Sequence, residues 1–173
     1  MSTTRIPNSI EPYRLAASAE HLEGVIPFGS MPRITEMLGE LADGCRVSLR
    51  FGTDPQRLRF IEGDLQAAVH MPCQRCLQPV PIEINSEFLL GLVSSDEQAA
   101  QLPRQYEPVL VENDHLALIP VIEDELLLSL PQVVYHEEGE CPVSRDQLQS
   151  GAEVETERHN PFSVLGTLKT KKS

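Results

Sequence analysis

The sequence contains no tryptophan, few aromatic residues and only four cysteines among its 173 residues. Four cysteines are too few for a disulfide scaffold in a chain of this length, so the fold must rest on ordinary hydrophobic burial. Hydrophobic residues make up 40% of the chain, which is sufficient for such a core. We therefore expect a single folded domain whose cysteines are free thiols or metal ligands.

Long apolar runs are also missing. No segment approaches the roughly 20 apolar residues that are needed to span a bilayer. The first residues, Met1–Pro7, lack the apolar core of a signal peptide. We therefore expect a cytoplasmic protein that makes no contact with a membrane.

Positive charge is scarce. The chain has 14 Lys and Arg against 26 Asp and Glu, a formal net charge of −12. Because nucleic acid is bound through clustered Lys and Arg, this balance disfavours extensive direct RNA binding. The imbalance is greatest from Glu107 to Glu157, which holds thirteen acidic residues and one basic residue, Arg145. Such a stretch is either a solvated surface or a docking face for a basic protein.

Period-two alternation predicts an antiparallel sheet in the middle of the chain. The predicted strands are Val47–Phe51, Leu58–Met71 with a bend at Gly63-Asp64, Val80–Leu92, and a short edge strand at Pro108–Glu112. The first two strands form a predicted hairpin, and the second and third are joined by a cysteine-containing turn.

Helical periodicity predicts two N-terminal helices, Ile10–Glu20 and Met31–Leu41, and a short helix at Ser95–Leu102. A longer amphipathic helix begins near Ile119 and ends at Pro131. It carries the run Glu123-Asp124-Glu125 near its N-terminal end, where negative charge is favoured, and we interpret this run as solvated. This helix is expected to pack on the sheet.

The predicted architecture is therefore α+β, a single domain over residues 1–137 with a mainly antiparallel sheet, N-terminal helices and one packed amphipathic helix. Residues 138–173 are predicted to form a mobile, acidic tail. The tail ends in a predicted short amphipathic helix whose partner-binding residues are Asn160, Pro161, Phe162, Val164 and Leu165. Because so short a helix is marginal alone, it must dock on its own domain or on a partner.

Cys73-Gln74-Arg75-Cys76 has a C-x-x-C spacing, which lets two thiolates reach one metal ion from a tight turn. His136 and Cys141 complete a candidate Cys3His set for Zn²⁺. Such a site would be structural, closing the long loop between the turn and the segment after the main helix. Three alternatives stay open: free thiols, a redox dithiol, or a shell completed by water or a carboxylate instead of the histidine.

Cys45 shares the register of Val47, Leu49 and Phe51, so we assign it to the buried face of a strand and exclude it from the ligand set. No catalytic residue is predicted. The sequence has no phosphate-binding glycine-rich loop, no G-x-S-x-G and no H-E-x-x-H. We therefore expect a protein that is not an enzyme.

Five arginines form the notable basic group and are the candidates for limited contact with RNA: Arg46, Arg50, Arg57, Arg59 and Arg75. On paired strands several of them would line one polar face of the sheet. The alternative is that they only make a sheet face soluble, since no aromatic residues alternate with them to stack on bases.

In their order and spacing, several segments together resemble the YceD family of large ribosomal RNA subunit accumulation proteins. The segments are Cys73-Gln74-Arg75-Cys76, Ser95-Asp96-Glu97-Gln98-Ala99, Leu102-Pro103, Tyr106-Glu107-Pro108, Val121-Ile122-Glu123-Asp124-Glu125, Leu130-Pro131, His136, Cys141, Asn160-Pro161-Phe162 and Val164-Leu165. Other branches of the family arrange the distal cysteines differently, which leaves the fourth ligand open.

The resemblance implies an accessory factor in ribosome biogenesis, required for the synthesis, processing or stability of 23S ribosomal RNA. Together with the net negative charge, it implies action through a partner, either a pre-large-subunit particle or a basic ribosomal or assembly protein. The alternative is a zinc-binding adaptor between proteins that is unconnected with RNA.

Overall fold

The computed structural model describes residues 4–39, 41, 43–137 and 139–144, which contain two sheets and four short helices. The strands are β1 (Thr4–Arg5), β2 (Ser9–Ile10), β3 (His21–Pro27), β4 (Gly44–Thr53), β5 (Arg59–Pro72), β6 (Pro79–Val93), β7 (Glu107–Leu110) and β8 (Leu116–Ala117). The helices are α1 (Pro12–Ala17), α2 (Pro32–Leu38), α3 (Asp96–Ala99) and α4 (Leu118–Ser129), with a 3-10 turn at Phe28–Ser30. No helix in these ranges is both long and apolar enough to cross a membrane.

The main sheet has six strands in the order β1-β3-β4-β5-β6-β7. Strands β3 to β6 pair antiparallel, whereas β1 and β7 add parallel strands at the two edges. Strands β2 and β8 form a separate two-stranded sheet. The predicted α+β class with a mainly antiparallel sheet is confirmed.

One face of the main sheet carries the core. On β4, Val47, Leu49 and Phe51 are buried as the alternation predicts, and on β5 Leu65 and Val69 continue the same face. Helix α4 covers this face with residues spaced at helical intervals, Leu118, Ile122 and Leu126, each fully buried. The predicted packing of the amphipathic helix on the sheet is therefore confirmed. We call the opposite, polar side of the sheet the open face.

The predicted bend at Gly63 is wrong. Strand β5 keeps one register against β4 and β6 along its length, with Gly63 directly opposite Leu49 and Phe88. A Cβ at Gly63 would lie 2.2 Å from the Phe88 ring, so this position is small because an aromatic ring occupies the space beside it. Because the strand is unbroken, Phe60 lies on the opposite side of the sheet from Leu65.

The N-terminal region differs from the sequence prediction in both its helices and its strands. The first helix is shorter than Ile10–Glu20, because Ser9 and Ile10 pair with β8 and α1 begins only at Pro12. Strand β3 was not predicted from the sequence. Its inward positions include Gly24, which has no side chain and so weakens the alternation that marks a strand.

Glu123 is buried, with 2% of its surface exposed, which corrects the prediction that the acidic run is solvated. Its carboxylate accepts hydrogen bonds from the backbone N–H of Arg33 (2.7 Å) and Ile34 (3.1 Å), and from Arg33 Nε (3.0 Å). These two backbone groups belong to the first turn of α2, where Pro32 has no N–H and Met31 supplies no side-chain cap. Glu123 therefore caps α2 from another helix.

The chain divides into two units, Met1–Cys141 and Pro142–Ser173. The core and all the elements described above belong to the first unit. Most of the predicted tail, including its terminal helix, lies outside the described residues, so the domain boundary at residue 137 remains a prediction.

We predict that Glu123→Gln lowers the free energy of unfolding by about 1–3 kcal/mol, because it weakens a buried, charge-assisted cap. Glu125→Gln in the same helix is the matched control. Burial, reinforced by Glu107 and Asp124, raises the pKa of the Glu125 carboxyl, so its ionised form opposes folding as the pH rises through that pKa. At neutral pH the control should be unchanged or slightly more stable. Urea denaturation measures both, and equal stabilities would contradict the capping role.

Candidate metal centre

The C-x-x-C segment forms a tight turn at one end of the β5–β6 hairpin. The pairing of the two strands ends at Pro72 and Pro79. Cys73 N–H then donates to Gln78 O, and Leu77 N–H donates to Cys73 O, both at 2.9 Å. Leu77 has a φ of 60°, a left-handed conformation that lets the chain reverse direction. The strands therefore hold Cys73 and Cys76 on a rigid turn, which we call the knuckle (residues 73–78).

The segment after α4 returns to the knuckle. Gln74 N–H donates to Val134 O at 2.9 Å, and Arg75 Nη2 donates to His136 O at 3.0 Å. Val134 is buried, so an apolar side chain anchors the segment beside these two hydrogen bonds. Together they bring His136 next to Cys76, although sixty residues separate the two in the chain.

The four predicted ligands lie together. The sulfur atoms of Cys73, Cys76 and Cys141 and a ring nitrogen of His136 are all within 4.8 Å of one another. Cys76 Sγ and His136 Nδ1 are 3.4 Å apart. In a tetrahedral zinc site, with Zn–S near 2.3 Å and Zn–N near 2.0 Å, neighbouring ligand atoms are separated by about 3.5–3.8 Å. Small side-chain movements therefore suffice for all four residues to hold one metal ion.

The electrostatics of the knuckle favour a thiolate at Cys73. Burial raises the pKa of this thiol, but hydrogen bonds from the backbone N–H groups of Cys76, His136 and Arg75, and one from the His136 side chain, lower it to about 5. The amide of Arg75 lies 3.4 Å from Cys73 Sγ. At Cys76, by contrast, burial and the neighbouring Cys141 and Cys73 sulfurs raise the pKa. One ligand is thus ready in its metal-binding form.

Arg75, one of the five arginines predicted as candidates for RNA contact, connects the parts of the site. Its guanidinium lies over the Tyr135 ring, 5.5 Å from the centroid, and it donates to His136 O. Its Nε is buried without a hydrogen-bond partner. Arg75 therefore links the knuckle to the returning segment. Only its place inside the C-x-x-C spacing could have suggested this role from the sequence.

The other arginines do not share one surface. Arg46 and Arg50 project from β4 on the open face, and Arg57 is exposed in the turn after β4. Arg59 lies on the core side, where its guanidinium is 5.0 Å from the centroid of the Tyr13 ring. The expected single polar face thus holds only for Arg46 and Arg50, and RNA contact by any of the five stays a prediction.

The structure also separates Cys45 from the cluster. Cys45 is fully buried in the core, and burial raises the pKa of its thiol to about 11. It is therefore a small apolar side chain of the core, as predicted from its register. The predicted partner-binding residues Asn160, Pro161, Phe162, Val164 and Leu165 lie outside the described residues.

Comparison with known proteins links the chain to one family. Residues 61–169 match the family described as Large ribosomal RNA subunit accumulation protein YceD. A Haemophilus influenzae protein of the same name is 33% identical over 174 residues, which cover 99% of this chain and 100% of that protein. No solved structure matches the chain. The family match spans the knuckle and all four candidate ligands.

We predict that the purified chain binds one Co²⁺ or Zn²⁺ ion per molecule, and that Cys73→Ser or Cys141→Ser abolishes this binding. Cobalt reports the ligands directly, because thiolate coordination gives charge-transfer bands and tetrahedral geometry gives intense visible absorption. Cys45→Ala, which removes the remaining thiol without burying a polar group, is the matched control and should keep both spectrum and stoichiometry. Equal binding by all the variants would show that the cluster is not the metal site.

Proposed function

Because the chain belongs to the YceD family of large ribosomal RNA subunit accumulation proteins, we propose that it is an accessory factor required for 23S ribosomal RNA to accumulate. The observation that carries the proposal is the similarity along nearly the whole chain to a relative with that name. It covers the sheet, the helix α4 and the knuckle together. We propose that accumulation reflects the synthesis, processing or stability of the RNA.

We propose that the Cys3His cluster holds Zn²⁺ in a structural role. Thiolates and imidazole are ligands that Zn²⁺ prefers, and a set of four protein ligands leaves no open position for a substrate. The ion would join the knuckle to the segment after α4. It would thereby stabilise a stretch that otherwise rests on a few hydrogen bonds and the Val134 side chain.

We propose that the protein reaches ribosomal RNA mainly through a basic protein of the pre-large-subunit particle. A net charge of −12 repels the phosphate backbone but attracts a positively charged protein surface. Direct contact with RNA would be limited to single exposed arginines such as Arg46 and Arg57. The proposed role needs no catalytic step and is carried out in the cytoplasm.

The direct test is to deplete the protein and measure 23S against 16S ribosomal RNA. We expect a selective fall in 23S that the wild-type chain restores and the Cys73→Ser/Cys76→Ser variant does not, because the variant loses the metal-bound knuckle. Cys45→Ala should restore 23S as well as the wild type does, since that thiol lies in the core away from the cluster.

Unchanged 23S after depletion would overturn the proposed function. If such a chain still bound zinc, the remaining candidate would be a zinc-binding adaptor between proteins that is unconnected with RNA, which the Cys3His cluster favours. If depletion lowers 23S and both cysteine variants restore it, the role in accumulation stands, but the knuckle is not needed for that role.

A further inference from the structure

Strand β6 has a long edge without a partner strand. It runs from Pro79 to Val93 and pairs with β5 on one side over nearly its whole length. On the other side, β7 pairs only with Leu90 to Val93. In the part of the chain that the structure describes, Ile82–Leu89 lies in register with no strand other than β5. We call the stretch Ile82–Leu89 the β6 edge.

The β6 edge has the backbone geometry of an acceptor strand. Alternate residues of an edge strand point N–H and C=O away from the paired neighbour, so these groups can bond a further strand. Proline, which cannot donate, occurs at Pro79 and Pro81 but not within the edge. The register against β5 shows no bulge there. Eight consecutive residues are thus straight and able to pair.

The two sides of the β6 edge differ in chemistry. Ile82, Ile84 and Phe88 point to the core side and are buried or half-buried. Glu83 and Glu87 point to the open face and are exposed. A strand added here would therefore place alternate apolar residues beside the core and the intervening residues beside two carboxylates.

Negative charge is concentrated beside the edge. Asp64 lies directly opposite Glu87 in the β5–β6 register, an arrangement of like charges that disfavours the pair. Two arginines of β4 lie on the same face. Arg50 is in an ion pair with Glu62, and Arg46 lies two strands from the edge, in the row of Gln66 and Asn85. A concavity of about 860 Å³ runs over this part of the open face, with Asp64, Glu87 and Leu89 among its lining residues. It leaves room for long basic side chains.

A second copy of the chain would fit this edge poorly. Antiparallel pairing of two β6 edges centred on Asn85 would set Glu83 of each copy against Glu87 of the other. Both contacts would be repulsive, so the charge pattern disfavours this register of self-association through β6. The same carboxylates would attract Lys or Arg at the matching positions of a different chain.

We propose that the β6 edge binds an extended segment of a basic protein, which adds a strand to the sheet. The segment would alternate apolar residues, facing the core side, with Lys or Arg, facing Glu83 and Glu87. Backbone hydrogen bonds supply the affinity, and the alternation supplies the specificity. That a strand adds to the sheet is inferred from the geometry and charge of β6 alone. That this strand belongs to a ribosomal protein rests on the proposed function.

A titration of the isotope-labelled full chain tests the edge with a defined probe, a blocked octapeptide that alternates valine and lysine. We expect amide exchange at alternate residues of the β6 edge to slow by about tenfold or more, because those N–H groups gain acceptors. A peptide of the same composition in two blocks, four valines then four lysines, should give no such protection. Protection by both peptides alike, or at other strands, would overturn the proposal.

Charge-reversal variants test the role of the carboxylates. Glu83→Lys/Glu87→Lys should weaken binding of the alternating peptide by about tenfold or more. Glu20→Lys/Glu36→Lys, which makes the same change of net charge at exposed positions outside β6, should weaken it by about twofold or less. Amide spectra of both variants report whether they fold as the wild type does. If both variants bind the alternating peptide equally weakly, net charge alone explains the weaker binding, and the proposal is overturned.

Association with pre-large-subunit particles separates this inference from the proposed function. Wild type and Glu20→Lys/Glu36→Lys should comigrate with the particles, and Glu83→Lys/Glu87→Lys should not. If all three comigrate, the edge proposal fails and the proposed function stands. If none does, the ribosomal assignment fails, and the peptide titration still decides whether a strand adds to the β6 edge.

A photo-crosslinking residue at Asn85 gives a further test. If it captures RNA or a second copy of the chain, instead of a basic protein, the proposal is overturned.

Discussion

The fold depends on the continuous antiparallel pairing of β5 with β6. The register runs without a bulge from Phe60 opposite Gly91 to Pro72 opposite Pro79. Since side chains alternate along a strand, one uninterrupted register assigns every residue of both strands to the core or to the open face. The same pairing brings the strand ends together and so positions the knuckle. A slip of one residue would expose Leu65 and Phe88 and move both cysteines.

Two sets of hydrogen bonds connect the later part of the chain to this hairpin and to the N-terminal elements. Glu123 reaches from α4 to the first turn of α2, and Val134 and His136 reach back to the knuckle. Each set supplies hydrogen-bond partners to backbone groups that would otherwise be unpaired in partly buried positions. The acidic run that helps to mark the family is thus, at Glu123, part of the folded framework and not a surface feature.

The acidic composition can be reconciled with a role in ribosomal RNA accumulation when the two faces of the sheet are considered separately. The core face is closed by α4 and the N-terminal elements, while the open face carries the carboxylates of β5 and β6 beside a strand edge. A basic protein is a better partner for such a surface than a phosphate backbone. Metal binding at the knuckle would stiffen the end of the same hairpin that presents the edge.

The sequence by itself determined the class of fold, the alternation of β4 and β6, the burial of Cys45 and the four candidate ligands, because these follow from periodicity and from cysteine spacing. Only the tertiary structure decided the roles of Gly63, Glu123 and Arg75. Gly63 is small because of a ring on the next strand, Glu123 is buried because two helices meet, and Arg75 binds a segment about sixty residues away. Local patterns could not show these roles, since each depends on a neighbour that only folding brings close.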